Sequence, residues 1–338
     1  MKLFRNVLKI KTLIKKGLRY RTSNCYMLKK IRNKILGGSR FINILIKVKK
    51  QNDKFEILVE NTMLQNGKVL TESILQKKDI SSIHDVEFKV FSQWGDDGII
   101  QYLINYLEIS NKIFIEFGVA DYLESNTRYL LMNNNWTGLV MDGSSINVDK
   151  IKKSDFYWKY DLTAKATFIT SENINLLIKD AGFKGEIGLL HIDIDGNDYW
   201  IWEALDIVKP IVMIVEYNSV FGSDRSITVP YKADFSRTDA HFSNLYAGAS
   251  IAALCDLAKE KGYAFIGSNS AGNNAYFVKK NYLKDLKPLS AEDGYVESKF
   301  RESRNKEGKL TYLSGNERLD ELKGLDVFNT RTNKIEKL

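Results

Sequence analysis

Cysteine and proline are scarce: two cysteines, Cys25 and Cys255, and three prolines occur in 338 residues. Two cysteines so far apart cannot build a disulfide framework or a Cys-rich zinc site, and they suit a reducing cytoplasm. Little proline, with 22 glycines in no regular period, excludes collagen-like and Pro-rich linker architectures. No apolar run approaches the roughly 20 residues of a membrane-spanning helix, which excludes an integral membrane protein. Acidic residues are missing from the first fifty positions, which hold sixteen Lys or Arg. Against a whole-chain charge of +8, that leaves the other residues at −8, so a basic arm precedes a mildly acidic body. With 44% hydrophobic and 12% aromatic residues, the body can bury a substantial core.

Within the arm, residues 1–50, Leu3, Val7, Ile10 and Ile14 recur at three- to four-residue steps, with Lys9, Lys11, Lys15 and Lys16 between them. The spacing predicts a basic amphipathic helix. Two partners suit it: an anionic membrane surface, or an apolar patch on the body or on a second copy in a homo-oligomer. The lysines interrupt the apolar segment that a secretory signal needs. No nucleic-acid-reading motif accompanies the charge, so no nucleic-acid partner is expected. Residues 51–90 read as a helical connector carrying Ile57, Leu58, Met63, Leu64, Val69, Leu70 and Leu75. Residues 281–338 form a polar extension, either a lid or a subunit contact.

From Phe91 onward, apolar runs alternate with amphipathic stretches, which predicts a parallel sheet covered on both faces. The expected strands are Ile113–Gly118, Gly138–Asp142, Phe156–Tyr160, Ile187–Asp193, Ile211–Tyr217, Tyr263–Gly267 and Ala275–Val278. Helices are expected at Thr127–Met132, Ile174–Ala181, Tyr199–Leu205 and Ala249–Lys261. Residues 268–274 are too few for a crossover helix, so the last two strands make an antiparallel hairpin at one end of the sheet.

Ligands of open α/β sheets bind beyond the carboxyl ends of the strands. Those ends are acidic here: Glu116 and Asp121, Asp142, Asp161, Asp193 and Asp195, and Glu216. Ionised carboxylates only accept hydrogen bonds, so the rim suits a ligand rich in hydroxyl and amino donors. There is no G-x-x-x-x-G-K-[ST] loop, and Gly118-Val-Ala-Asp-Tyr-Leu123 lacks the later glycines of G-x-G-x-x-G, which counts against ATPases and ordinary NAD dehydrogenases. A nucleoside with its ribose on Asp142 and its adenine amino group near Asp161 fits better.

The order of these features resembles class I S-adenosylmethionine-dependent methyltransferases. More closely, residues 91–280 resemble FkbM-type methyltransferases of bacterial surface-polysaccharide loci. The resemblance rests on Phe91-Ser-Gln-Trp-Gly-Asp-Asp-Gly-Ile99, on Phe114-Ile-Glu-Phe-Gly118 with Glu124-Ser-Asn-Thr127, and on His191-Ile-Asp-Ile-Asp-Gly-Asn-Asp-Tyr-Trp200. Tyr246-Ala-Gly-Ala-Ser250 with Gly272-Asn-Asn-Ala-Tyr276 completes it. It implies an α/β, Rossmann-like seven-strand methyltransferase sheet with a terminal antiparallel hairpin, to which the basic arm adds a helical N-terminal extension. It also implies contacts with the methionine part of S-adenosylmethionine from Glu116 and Gly118, and a ribose contact from Asp142. Asn126, Gly143 and Asp193 complete the expected cofactor set. Ala120 and Tyr122 depart from the pattern, standing where glycines are common.

Asp193, Asp195 and Asp198 fall within six residues, and Glu216 and Asn218 end the next strand. Oxygen-only ligands at this spacing suit Mg²⁺, Mn²⁺ or Ca²⁺. The arrangement is similar to that of metal-dependent sugar O-methyltransferases, in which the ion lowers the pKa of the reacting hydroxyl. The other reading makes Asp198 a helix N-cap and Asp195-Gly196 a turn, without metal. His191 and His241 are candidate bases, His241 favoured because it lies in a polar loop while His191 sits in an apolar strand. Asp193 and Asp195 join His241 as candidate catalytic groups. The expected activity is O-methylation of a sugar hydroxyl in a cell-surface glycan or its precursor, in the cytoplasm or at the inner membrane face. The alternative is a non-methylating nucleotide-sugar or glycan-binding protein on the same fold.

Overall fold

In the computed structural model, residues 39–338 are described, and the expected amphipathic helix at Leu3–Lys16 lies outside them. The chain divides into two compact units, Met1–Met63 and Leu64–Leu338. The helix Ser39–Leu75 runs through the boundary, and its first unit exposes Phe55 and Leu58. Among the described residues no helix is long and apolar enough to cross a membrane. After Leu75 the connector ceases to be helical, apart from one 3-10 turn at Ile83–Val86 capped by Ser82 and Asp85.

The second unit is built on ten strands. They are β1 (Ile113–Phe117), β2 (Thr137–Asp142), β3 (Leu162–Ala166), β4 (Gly185–Ile192), β5 (Val208–Glu216), β6 (Ile227–Thr228), β7 (Tyr263–Ser268), β8 (Asn274–Lys279), β9 (Asp326–Asn329) and β10 (Lys334–Lys337). Seven form one sheet in the order β3-β2-β1-β4-β5-β8-β7. β1 to β5 are parallel, and β8 runs antiparallel between β5 and β7, so the expected seven-strand sheet with a terminal hairpin is what the chain adopts. β6, β9 and β10 make a small second sheet that closes the C-terminal segment onto the loops after β5, around Phe221, Leu245, Leu322 and Val327.

Period-two alternation assigns each strand residue to a face. Phe114, Leu189, Val212, Ile214 and Tyr276 pack into one core with Ile99 and Leu103 of the helix Asp96–Tyr106. Ile115, Leu190, Met213, Val215 and Phe277 pack into the other, under the helices Ile174–Asp180, Asp198–Ala204 and Ile251–Glu260. Extending the alternation to the strand ends puts Glu116, His191, Asp193, Glu216 and Asn274 on the first face.

The third strand is not at Phe156–Tyr160. That aromatic run has β-propensity but forms turns, with Trp158 78% exposed and Phe156 packed on Tyr122. Leu162-Thr-Ala-Lys-Ala166 pairs with β2 instead, burying Leu162 and Ala164 in alternation.

Candidate active site

Glu116 ends β1 as a buried hub. Its carboxylate accepts from Ser125 Oγ at 2.5 Å, Asn126 N at 3.0 Å, Thr127 N at 3.1 Å and the Thr127 hydroxyl, and it meets His191 Nδ1 at 3.0 Å. Burial opposes ionisation, yet hydrogen bonds from His191, Ser125 and Thr127 hold its pKa below the usual range. The Asn126 amide lies 3.3 Å from the His191 ring. The expected cofactor contact from the Glu116 carboxylate is therefore corrected, because it is consumed in fixing the turn 125–127, while the Asn126 side chain meets His191. His191, held between them at 4% exposure, is a satisfied interior residue.

Gly118 has φ +76°, and a Cβ there would stand 1.5 Å from the Asp193 carbonyl oxygen. The ends of β1 and β4 approach so closely that only glycine fits. The following loop keeps a glycine-like path without glycines, with Ala120 at φ 47° and Tyr122 at φ 63°. Tyr122 is anchored in the core by its hydroxyl, 2.9 Å from Thr127 Oγ1. Asp142 ends β2 and ties the rim together, accepting from Ala120 N at 2.8 Å, Ser144 N at 2.8 Å and Asn147 Nδ2 at 3.3 Å. Beside it, Gly143 has no neighbour nearer to a built Cβ than Phe168 at 3.7 Å, and both Phe168 and Ile146 expose apolar surface.

Asp161 is corrected with its strand. It precedes β3, accepting from Gly138 N at 2.9 Å and Thr137 Oγ1 at 3.0 Å at the start of β2. This is the amino end of the sheet, opposite Asp142, and no cofactor held at the carboxyl rim reaches it.

Between β4 and β5, one carboxylate oxygen each of Asp193, Asp195 and Glu216 lie within 4.8 Å of one another. Asp193 and Glu216 are half-buried and share a hydrogen bond. Burial, then the charges of Glu216, Asp195 and Asp198, raises Asp193 well above the carboxylate range. Burial and the charges of Asp195 and Asp198 push Glu216 up to about 8, with Arg237 opposing. Asp195 is exposed, at φ 57°, and accepts from Arg237 Nη1 at 2.8 Å.

Two expected metal ligands are corrected. Asp198 accepts from Ile194 N and Gly196 N, both at 2.9 Å, folding its own loop. Asn218 donates to Leu245 O at 2.8 Å and Ala247 O at 2.9 Å, and accepts from Val220 N at 3.0 Å. Nor does the structure bring His241 to the acids: its ring meets Ser243 Oγ at 2.7 Å and lies tilted against Phe242. Arg237, four residues earlier, is the member of that segment that arrives.

The sequence reading missed Arg237 and Arg318. Both line a cavity of about 30 Å³ with Glu216, Asn218, Gly248 and Phe300. Arg237 had a signal, since it lies in the polar loop that was searched for a base. Arg318 had none, because it reaches the rim from the far C-terminal segment.

The motifs beyond β1 converge as well. Asp96 accepts from Asn269, Asn274 and Tyr276, joining the segment before the sheet to the β7–β8 hairpin. Asp97 accepts from Val90 N, Phe91 N and Ser92 N at 2.7–2.8 Å, closing the loop ahead of the helix Asp96–Tyr106.

No protein-family model and no curated protein matches this chain. Among solved structures, it is similar to the O-methyltransferase from Bacillus cereus in complex with SAH, at 12% identity, covering 64% of this chain and 91% of that one, with a TM-score of 0.36. It is similar to the N-terminal domain of EvdMO1 with SAH bound, at 9% identity over 64% and 94%, TM-score 0.37. The methyltransferase domain of bacterial CtHen1 gives 12% identity over 54% and 97%, TM-score 0.34. Likeness at this level says nothing of what this chain binds or methylates.

Proposed function

We propose that this chain is an S-adenosylmethionine-dependent O-methyltransferase acting on a sugar hydroxyl of a cell-surface glycan or its precursor. The observation that carries the reading is the Asp193–Glu216 carboxyl pair, held on one sheet face next to the Gly118 loop and Asp142. S-adenosylmethionine, when bound, would supply an electrophilic methyl group to the acceptor oxygen. The rim residues fit such a group: Asp142 offers a carboxylate to vicinal hydroxyls, Gly118 and Gly143 leave the backbone uncovered, and Phe168 and Ile146 offer apolar surface for a base. Glu216 takes the hydroxyl proton, for which a carboxylate whose pKa is about 8 is a far better base than an ordinary one. Asp193, raised well above the carboxylate range by burial and by the neighbouring acids, shares a hydrogen bond with Glu216 and keeps it oriented.

A second reading puts a divalent cation on these acids in place of the shared proton, favoured by the meeting of Asp193, Asp195 and Glu216. Their oxygen-only donor set fits Mg²⁺ or Mn²⁺, which would supply Lewis-acid help to the hydroxyl. The glycan context rests on the resemblance of residues 91–280 to FkbM-type methyltransferases. The basic arm would hold the enzyme at an anionic membrane surface, where lipid-linked glycans are assembled.

Calorimetric titration with S-adenosylmethionine and S-adenosylhomocysteine tests the activity, followed by transfer of labelled methyl groups to a surface-polysaccharide extract. Binding of both with label in the glycan is expected. No binding of either at millimolar concentration overturns the reading in favour of a non-methylating protein.

A further inference from the structure

Arg318, in the helix Asn316–Glu321, is only 4% exposed, yet it forms no ion pair among the described residues. Its Nη1 donates to Ser298 Oγ at 2.5 Å, and its Nε has no hydrogen-bond partner. Buried guanidinium groups are ordinarily paired, because removing the charge from water is costly unless an anion replaces the solvent. The charges that face it do not supply one: Glu297 is exposed and beyond ion-pair distance, and Arg237 repels. Burial accordingly pushes the Arg318 pKa down.

The two arginines of the cavity differ in what they have left to offer. Arg237 is committed to Asp195 at 2.8 Å and, through Nε, to Asn244 O at 2.6 Å. Arg318 lines the same cavity as Glu216 with Nε unpartnered and only Nη1 hydrogen-bonded, and its guanidinium fork matches the oxygens of a carboxylate or phosphate. A cavity of about 30 Å³ takes one or two water-sized groups, which leaves room for the oxygens of a carboxylate or phosphate but not for a sugar ring.

We propose that Arg318 binds an anionic group, a carboxylate or phosphate, carried by the acceptor close to the hydroxyl that Glu216 deprotonates. This rests on the methyltransferase reading and narrows its substrate class to acidic sugars or sugar phosphates. It also gives the C-terminal segment a role, since that segment carries the arginine to the rim.

The test is thermal unfolding of the full chain with D-glucuronate, glucose 6-phosphate or neutral D-glucose at matched ionic strength, for the wild type, Arg318→Lys and Arg318→Met. Cofactor binding is measured separately. A saturable rise of several degrees with glucuronate or with the sugar phosphate is expected in the wild type, and none with glucose; whichever anion acts identifies the group. Arg318→Lys keeps the charge without the fork and should bind at least tenfold more weakly. Arg318→Met should lose the anion response and, relieved of an unpaired charge, melt no lower than the wild type without ligand. No anion response in the wild type, or an equal one in Arg318→Met, overturns the proposal. If the Met variant does not fold, an unchanged response in Arg318→Lys overturns it equally. An Arg318-dependent response without cofactor binding supports the anion site while sinking the methyltransferase reading.

Discussion

Gly118 and Asp193 meet backbone to backbone, so closely that a single methyl on Gly118 would lie 1.5 Å from the Asp193 carbonyl oxygen. The loop after β1 and the acid that follows β4 are thus positioned by one contact. Gly118→Ala combines that collision with φ +76° and is expected to cost on the order of 3 kcal/mol or more in urea unfolding, together with cofactor affinity. An alanine variant of wild-type stability would show that the two strand ends are free to separate.

Asp142 and Asp161 look alike in sequence but stand at opposite ends of the sheet. Asp142→Asn should weaken S-adenosylhomocysteine binding about tenfold or more, the loss of roughly 1.4 kcal/mol or more from charge-assisted hydrogen bonds. Asp161→Asn should leave the affinity unchanged. Equal effects in calorimetric titration would contradict the placement of β3.

Glu216 must be ionised to take a proton, and its pKa is about 8. The rate of methyl transfer should therefore climb as pH rises through about 8, and Glu216→Gln should lower kcat by roughly 10²–10⁴-fold while cofactor affinity persists. Activity in Glu216→Gln equal to the wild type would remove the base. Chelation is a separate arm: a rate restored by added Mg²⁺ supports the cation, and a rate indifferent to chelator leaves the carboxyl pair acting alone.

The same groups set an unusual pH dependence of stability. Asp193, Asp198 and Glu216 all have folded pKa values raised above their ordinary ones, by burial first and neighbouring acids after it. Between the unfolded and folded values the native state holds more protons than the unfolded chain, so stability falls as pH rises. Denaturation midpoints without ligand should decline as pH rises from about 4.5, the ordinary Glu value, through about 8, where Glu216 titrates. Glu216→Gln should flatten that decline and be the more stable protein at pH 8. A midpoint that rises over this range in the wild type would contradict the buried-acid account.

Much of the sheet was legible because buried parallel strands are continuous runs of Val, Ile and Leu, as in Ile211-Val-Met-Ile-Val215. The third strand was not, because the aromatic run Phe156–Tyr160 outweighed the modest alternation of Leu162-Thr-Ala-Lys-Ala166. The acids of the rim were visible as residues but not as roles. Asp193 faces its neighbours' carboxylates while Asp198 folds back on Ile194 N and Gly196 N, and nothing in the local pattern separates them. That difference depends on the path of a tight loop, and the presence of Arg318 depends on a segment that returns from the end of the chain.

The N-terminal arm makes a prediction separable from catalysis. Each Lys or Arg near an anionic bilayer contributes about 1 kcal/mol, so replacing Lys9, Lys11, Lys15 and Lys16 together by Gln should weaken vesicle binding by about 4 kcal/mol, roughly a thousandfold in partition coefficient. The apolar positions Leu3, Val7, Ile10 and Ile14 remain, which leaves the hydrophobic contribution in place. In sedimentation with phosphatidylglycerol vesicles at low salt, the wild type should pellet, added salt should release it because the charges are screened, and the fourfold variant should stay in solution while binding S-adenosylhomocysteine normally. Pelleting of both proteins alike, or of the wild type equally at high salt, would show that the arm's basic face is not what meets the membrane.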